Sequence, residues 1–460
     1  MEKYGYLIAL MSISKKFCRA KCFSLSRQGL RLNSTQRMLK PKQNILLTLI
    51  HLLLKNTESF TGKDFKKRVK IAGKFHDEGK KDERWQKACQ EDYERFQRGE
   101  KYGSSLTKVK MRHEIASLTL LKHKNFSEPV KVAIAAHHGK LSHKHSSRWS
   151  DNEVRGAAEL WEMFQQISEN AFPILSSNQF ESALKKHYEF AGVRAYVQLA
   201  DHRASIKENI DPRFQFVPSI TPFKYEFPYT QKRPVQEIAE KYADDMLLLL
   251  RAPTGAGKTD AALLWAKKQI EELKRADRLV IAMPTRFTSN ALALNVSERS
   301  IAETGLYHSS AWYVRHQEIA SLSEEDEHKE RLIHEFARFL ETPITVCTID
   351  HLLTALTLSR EDHHTIVFNF AHSCLVIDEA DFYDDFTQAN IQKLLIAART
   401  LEVPVMVMSA SLPDASLKLY EDAGYSNVTI REDISDLSRQ RCKVASIKEY
   451  SELDEISDIL

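Results

Sequence analysis

Residues 246–265 read MLLLLRAPTGAGKTDAALLW: a run of leucines, a loop with two glycines and a Lys-Thr pair, then an alanine- and leucine-rich stretch. The short apolar run reads as a buried strand, and the segment after the loop, DAALLWAKKQIEELKR, has helical texture. A strand–loop–helix of this kind can ring a phosphate with backbone N–H groups. Gly255 and Gly257 allow the close backbone approach, Thr254 and Ala256 complete the loop, Lys258 reaches the β/γ-phosphates and Thr259 the Mg²⁺. Ala252 stands where the usual pattern has its first glycine.

Downstream, the short apolar runs RLVIAMP, ITVCT, CLVIDEA and VPVMVMSAS alternate with helical stretches. That alternation predicts an α/β domain with a parallel sheet wrapped by helices. VIDEADF puts Asp378, Glu379 and Asp381 at the carboxyl end of a strand, the edge where open α/β sheets bind ligands. Asp378 is placed to hold the magnesium of ATP, and Glu379 to orient or deprotonate the attacking water. Asp381 suits a relay to neighbouring segments better than chemistry.

Upstream the texture differs. From Asn44 to about Ile210 the pattern is helical, and 211–234 then carries five of the thirteen prolines, which predicts an extended linker. The expected organisation is a basic extension over 1–40, an all-α domain over 41–210, a proline-rich linker over 211–235, an α/β domain over 236–435, and the start of a further segment over 436–460. The first 40 residues hold nine Lys or Arg against one acid, yet the whole 460-residue chain has a formal net charge of only +4. A grip on nucleic acid must therefore come from local basic patches. Six scattered cysteines suggest reduced thiols and a cytoplasmic setting, and no apolar run approaches the roughly 18 residues a membrane span needs.

The helical half holds a second candidate site. KIAGKFHDEGKK places His76 and Asp77 within an otherwise apolar helix, with Lys80 one turn on; His113 lies in MRHEIASL, His137 and His138 in VAIAAHHGK, and Asp201 in YVQLADHRA. Imidazoles and carboxylates from four helices can converge to hold two divalent cations, a shared Asp bridging them, as two-metal phosphodiester cleavage needs. Mixed N/O ligands suit Mn²⁺, Fe²⁺, Co²⁺ or Ni²⁺ better than Ca²⁺. Asp77 and Lys80 are counted with the catalytic groups. His123, His143, His145 and His202 are read as satisfied or surface histidines.

Two resemblances follow. The phosphate loop and DEAD segment resemble a superfamily 2 helicase motor. RPVQ looks like its Q motif, with Gln236 on the adenine edge. MPTRF and TPITVCTIDHLL look like its single-strand contacts, implying Thr285, Arg286 and Thr348. MSAS looks like its coupling motif, implying Ser409 and Ser411. The order HD…H…HH…D resembles the HD phosphohydrolase superfamily, whose nuclease branch adds an upstream histidine. STQRMLKPKQN at 34–44 has none, and His51 is the upstream candidate.

Joined on one chain, the two resemble the CRISPR-associated nuclease–helicase of type I interference systems. The resemblance implies metal-dependent cleavage of single-stranded DNA, ATP-driven translocation, recruitment by a guide-RNA surveillance complex, and a role in antiviral defence. A second RecA-like domain is expected to be missing from this sequence, because 436–460 is short and Arg439 and Arg441 in LSRQR do not make the arginine-finger pattern; the two readings are a partner chain carrying that half and a gene fragment. The chain alone is accordingly expected to bind ATP but hydrolyse it poorly. The alternatives are an HD phosphohydrolase acting on nucleotides beside a nucleotide-sensing domain, and an inactive nucleic-acid-binding fragment.

Overall fold

The structure is a computed structural model that describes residues 64–101, 103–109, 111–121, 123–138, 177–208, 222–313, 323–357, 360 and 362–435. His51, the basic extension, His143, His145, Arg439 and Arg441 lie outside the described residues.

The first half is helical: α1 (Phe65–Phe75), α2 (Glu83–Gln97), α3 (Ser104–Val109), α4 (His113–Leu120), α5 (Glu128–Ala136) and the long α6 (Ser177–Glu208). In α1 the buried residues Phe65, Val69, Ala72 and Gly73 recur at helical spacing, so one stripe faces the core. Asp82 caps α2 by accepting from the Arg84 N–H at 2.9 Å.

After α7 (Pro234–Lys241) come β1 (Leu247–Arg251), α8 (Lys258–Lys267), β2 (Arg278–Met283), α9 (Arg286–Arg299), β3 (Thr304–Tyr307), α10 (Glu324–Arg338) and β4 (Ile344–Thr348). Then follow α11 (Ile349–Leu356), α12 (His363–Phe370), β5 (Ser373–Ile377), α13 (Asp385–Thr400), β6 (Val405–Ser409), α14 (Leu417–Asp422) and β7 (Ile430–Glu432). The strands form one seven-stranded sheet in the order β3-β4-β2-β5-β6-β1-β7. Every pairing is parallel. The expected parallel sheet is present, and its strands show why their sequences are almost wholly apolar. Leu249, Val280, Leu375 and Val405 pack on one face, while Leu248, Leu279, Cys374 and Met406 pack on the other. A sheet covered on both faces has no polar side to alternate with.

The helical domain sits on the first of those faces. A single apolar cluster runs from Phe65 and Tyr196 through Phe368 into the sheet. Phe65 and Phe368 stack with ring centroids 6.4 Å apart, and Gly192 of α6 leaves room for both rings. Near the nucleotide end, 222–228 has no regular secondary structure but is not a free tether, because Phe223 and Tyr225 are buried in the opposite apolar cluster. Among the described residues no helix is long and apolar enough to cross a membrane.

Candidate metal centre and nucleotide cleft

The HD pair was expected within a helix, but α1 stops at Phe75. His76 is its C-cap and Asp77 begins a turn that leads into a short 3₁₀ segment, Glu78–Lys81. The turn is possible because residue 79 is a glycine. A Cβ there would lie 2.0 Å from the His113 carbonyl oxygen and 2.6 Å from the Ser117 nitrogen. The gap is laced by a buried hydroxyl: the Gly79 N–H donates to Ser117 Oγ at 2.7 Å, and that hydroxyl lies 2.8 Å from both the His76 and His113 carbonyls. The backbone of the HD turn is thus stitched to the first turn of α4, which begins with His113.

His137, the C-cap of α5, and His138 follow that helix directly. Arg194, fully buried on α6, donates its Nε–H to the Ala136 carbonyl at 2.9 Å. It supplies one of the partners a helix C-terminus lacks. The same helix presents Asp201, about two turns further on by helical pitch.

Seven side chains meet. Asp77 Oδ1 lies 2.7 Å from Lys80 Nζ, 3.3 Å from His113 Nε2 and 3.8 Å from His137 Nε2. Asp77 Oδ2 lies 3.5 Å from His76 Nε2, whose other carboxylate neighbour is Asp201 Oδ1 at 3.8 Å. His138 Nε2 is 3.5 Å from Asp201 Oδ2. The ligand atoms form two overlapping groups, His76–Asp77–His137 and His113–His137–His138. All six expected ligands are therefore brought together, with Asp77 central. His123 is exposed, as expected for a bystander.

The donor set fits divalent cations. His76 Nδ1 donates to the Gly73 carbonyl at 2.8 Å and His137 Nδ1 to the Ile134 carbonyl at 2.8 Å. Each imidazole then presents its Nε2 lone pair inward, as metal-ligating histidines do. His76 Nε2 is buried without a hydrogen-bond partner. Converging lone pairs and carboxylates repel one another until a cation stands between them.

Electrostatics agree. Burial alone would raise Asp77, but the neighbouring His76 and Lys80 hold its carboxyl well below the usual range. Burial, helped by Lys80, lowers His113 to about 4, and burial also lowers His137, so both are neutral ligands at pH 7. Glu114, unforeseen from sequence, is buried beside them. Burial would raise it, yet His113 and Arg112 bring it down to about 2.

The second site is a cleft of about 470 Å³ lined by Thr254, Gly255, Gly257, Lys258, Thr259, Gln236, Asp378 and Glu379. The two loop glycines have φ of +82° and +99°, conformations a side chain resists. Lys258 Nζ folds back to within 3.4 Å of the Ala252 carbonyl. Burial raises the Asp378 carboxyl to about 6 despite the pull of Lys258. Glu379 takes a left-handed backbone conformation, φ 54°. Burial would raise Asp381, but hydrogen bonds from Ser409 and Ser411 lower it, and these bonds tie the DEAD segment to the end of β6.

Gln236 is engaged within the protein. Its Oε1 accepts from the Arg233 N–H at 2.8 Å, and its Nε2 lies 3.5 Å from the Gly257 carbonyl, so it caps α7 against the phosphate loop. Thr285 caps α9, accepting from the Thr288 N–H at 3.1 Å. Arg286 is exposed beside Ser310, whereas Thr348 is buried as the N-cap of α11.

Comparison with known proteins adds an independent result. The model of the Cas3 HD domain matches residues 37–209, and that of the DEAD/DEAH box helicases matches 230–419. The putative CRISPR-associated nuclease/helicase Cas3 of Methanocaldococcus jannaschii is 28% identical over 229 residues, 49% of this chain and 30% of the relative. The CRISPR-associated endonuclease/helicase Cas3 of Thermus thermophilus is 29% identical over 236 residues, 46% of this chain and 25% of the relative. This chain thus spans less than a third of the length of either relative. The crystal structure of T. fusca Cas3 with ADP superposes with a TM-score of 0.52 at 18% identity, covering 84% of this chain and 49% of that one. At that identity the likeness is one of fold.

Proposed function

The chain joins a Cas3 HD domain to a DEAD/DEAH box helicase domain, and from that premise we propose that it is a metal-dependent nuclease of single-stranded DNA coupled to an ATP-binding motor lobe in CRISPR defence. The observation that carries the reading is the placement of Asp77 among three imidazoles and a lysine, 3.3–3.8 Å from the ring nitrogens of His76, His113 and His137. His76, Asp77, His113, His137, His138 and Asp201 would hold two divalent cations, Mn²⁺, Fe²⁺, Co²⁺ or Ni²⁺ by donor type. When bound, such ions supply an activated water and charge stabilisation at the leaving oxygen.

The chain's own residues do the rest. Asp77 holds the centre together, and Lys80 keeps it ionised at 2.7 Å. Their position gives Lys80 a donor to offer a phosphate oxygen. In the cleft, Lys258 and the loop N–H groups grip the phosphates of ATP, Thr259 and Asp378 hold its Mg²⁺, and Glu379 orients water. Its proposed partners are single-stranded DNA, the guide-RNA surveillance complex that opens the target, and a second RecA-like lobe that closes over the nucleotide.

The test is cleavage of single-stranded DNA by the purified chain with Mn²⁺ or Ni²⁺, beside Asp77→Ala. Metal-dependent cutting that disappears in the variant supports the reading. Hydrolysis of small nucleotides without DNA cleavage would move the assignment to a nucleotide phosphohydrolase. No metal-dependent hydrolysis of either substrate would leave a nucleic-acid-binding module.

A further inference from the structure

The three central imidazoles are not held alike. His76 and His137 close helices, and each donates Nδ1–H to the carbonyl three residues back. His113 opens a helix instead. Its Nδ1 faces a carboxylate, Glu114 Oε2 at 3.4 Å. Its Nε2 faces Asp77 Oδ1 and His137 Nε2, both at 3.3 Å. A neutral imidazole has one proton, and two carboxylates compete for it. If the proton sits on Nε2, His113 donates to Asp77 or to the His137 Nε2 lone pair, both at 3.3 Å, and the centre closes on itself. If it sits on Nδ1, the Nε2 lone pair points inward and can ligate.

Glu114 is built to win that competition. It is 4% exposed in a helix whose other early residues are apolar or small. Its other oxygen, Oε1, accepts from Arg112 Nε at 2.8 Å and from the terminal nitrogen at 2.6 Å, which fixes the carboxylate and leaves Oε2 for the ring. We propose that Glu114 is the positioning residue that keeps the His113 proton on Nδ1, so that Nε2 stays open to a cation and Asp77 does not capture it. This rests on the metal-centre reading above and adds a residue to it.

The experiment uses the full chain, selectively ¹⁵N-labelled at histidine. In metal-free protein at pH 7, the His113 ring should show the proton on Nδ1. In Glu114→Gln the ring should move toward the Nε2–H form, and Mn²⁺ binding followed by calorimetry should weaken about 10- to 100-fold. Glu114→Asp should recover part of both, and Arg112→Gln should weaken Mn²⁺ binding less than Glu114→Gln. A wild-type ring protonated on Nε2 overturns the proposal even if every variant fails to fold. Equal Mn²⁺ affinity in wild type and Glu114→Gln overturns it too. Wild type that binds no Mn²⁺ while keeping the Nδ1–H ring sinks the metal reading and leaves the tautomer assignment standing.

Discussion

Tyr188 and His372, 184 positions apart, share a hydrogen bond of 2.7 Å across the junction of the helical domain and the sheet domain. Tyr188 stacks on Phe368 at 5.6 Å between centroids, so the bond sits inside an aromatic seam. Burial lowers the His372 imidazole from 6.5 to about 4. A folded pKa below the unfolded one means that stability is fully present above pH 6.5 and is lost as pH falls toward 4. For a fully buried group this is on the order of 3 kcal/mol across the whole window, of which about 2 kcal/mol is lost by pH 5. Urea denaturation at pH 7.5 and pH 5 should show it in wild type, and His372→Phe should remove that share of the pH dependence. Equal pH slopes in the two proteins would contradict the assignment.

The glycine beneath the metal centre allows a sharper prediction. Gly79→Ala places a methyl 2.0 Å from a backbone oxygen, where no rotamer offers relief. We expect a loss of about 3 kcal/mol or more, with Mn²⁺ binding lost alongside it. Ser117→Ala removes only a hydroxyl, but it leaves the Gly79 N–H without the acceptor it has at 2.7 Å. That should cost about 1–3 kcal/mol in thermal or urea melts.

Separate clefts should give separable losses. Lys258→Ala should weaken ATP binding about 10- to 100-fold, the worth of one charge-assisted hydrogen bond. Mn²⁺-dependent cutting of a short single strand should survive it. Titration with a fluorescent ATP analogue, run beside the cleavage assay, checks both halves. Loss of cutting in Lys258→Ala would mean that the nucleotide lobe gates the metal centre directly.

Asp381 predicts a different pattern. Its carboxylate accepts from both Ser409 and Ser411. Asp381→Asn keeps the shape and removes the charge that shortens those bonds. Nucleotide affinity should stay within about threefold, while ATP turnover stimulated by DNA in the assembled motor falls roughly tenfold or more. Affinity and turnover falling together would place Asp381 in binding instead of relay.

Much of this was legible in the sequence because the chemistry demands particular residue types. A phosphate loop needs Gly255, Gly257 and Lys258 in order, and a cation pair needs His76, Asp77, His113, His137, His138 and Asp201. The apolar strands announced a sheet buried on both faces. Less legible were residues whose work is done through the backbone. Gly79, Ser117 and Arg194 carry no metal and match no pattern, yet they hold the turns that do. A weak signal existed: Ser117 lies four residues after His113 and so shares its helical face. Glu114 was visible too, as the one acid in EIASLTL. The HD pair was misplaced within a helix because periodicity cannot show where a C-cap falls. Gln236, read from sequence as facing adenine, lines the cleft, and its hydrogen bonds to Arg233 and the phosphate loop were not legible beforehand.

Helix α6 bears Asp201 toward one end, while Glu181, Tyr188 and Gln198 along its length meet Arg399, His372 and Thr365 of the sheet domain. The helix that carries a carboxylate of the candidate metal centre is thus the same one that is hydrogen-bonded to the domain holding the nucleotide cleft, so a shift of α6 against that domain would move Asp201 with it.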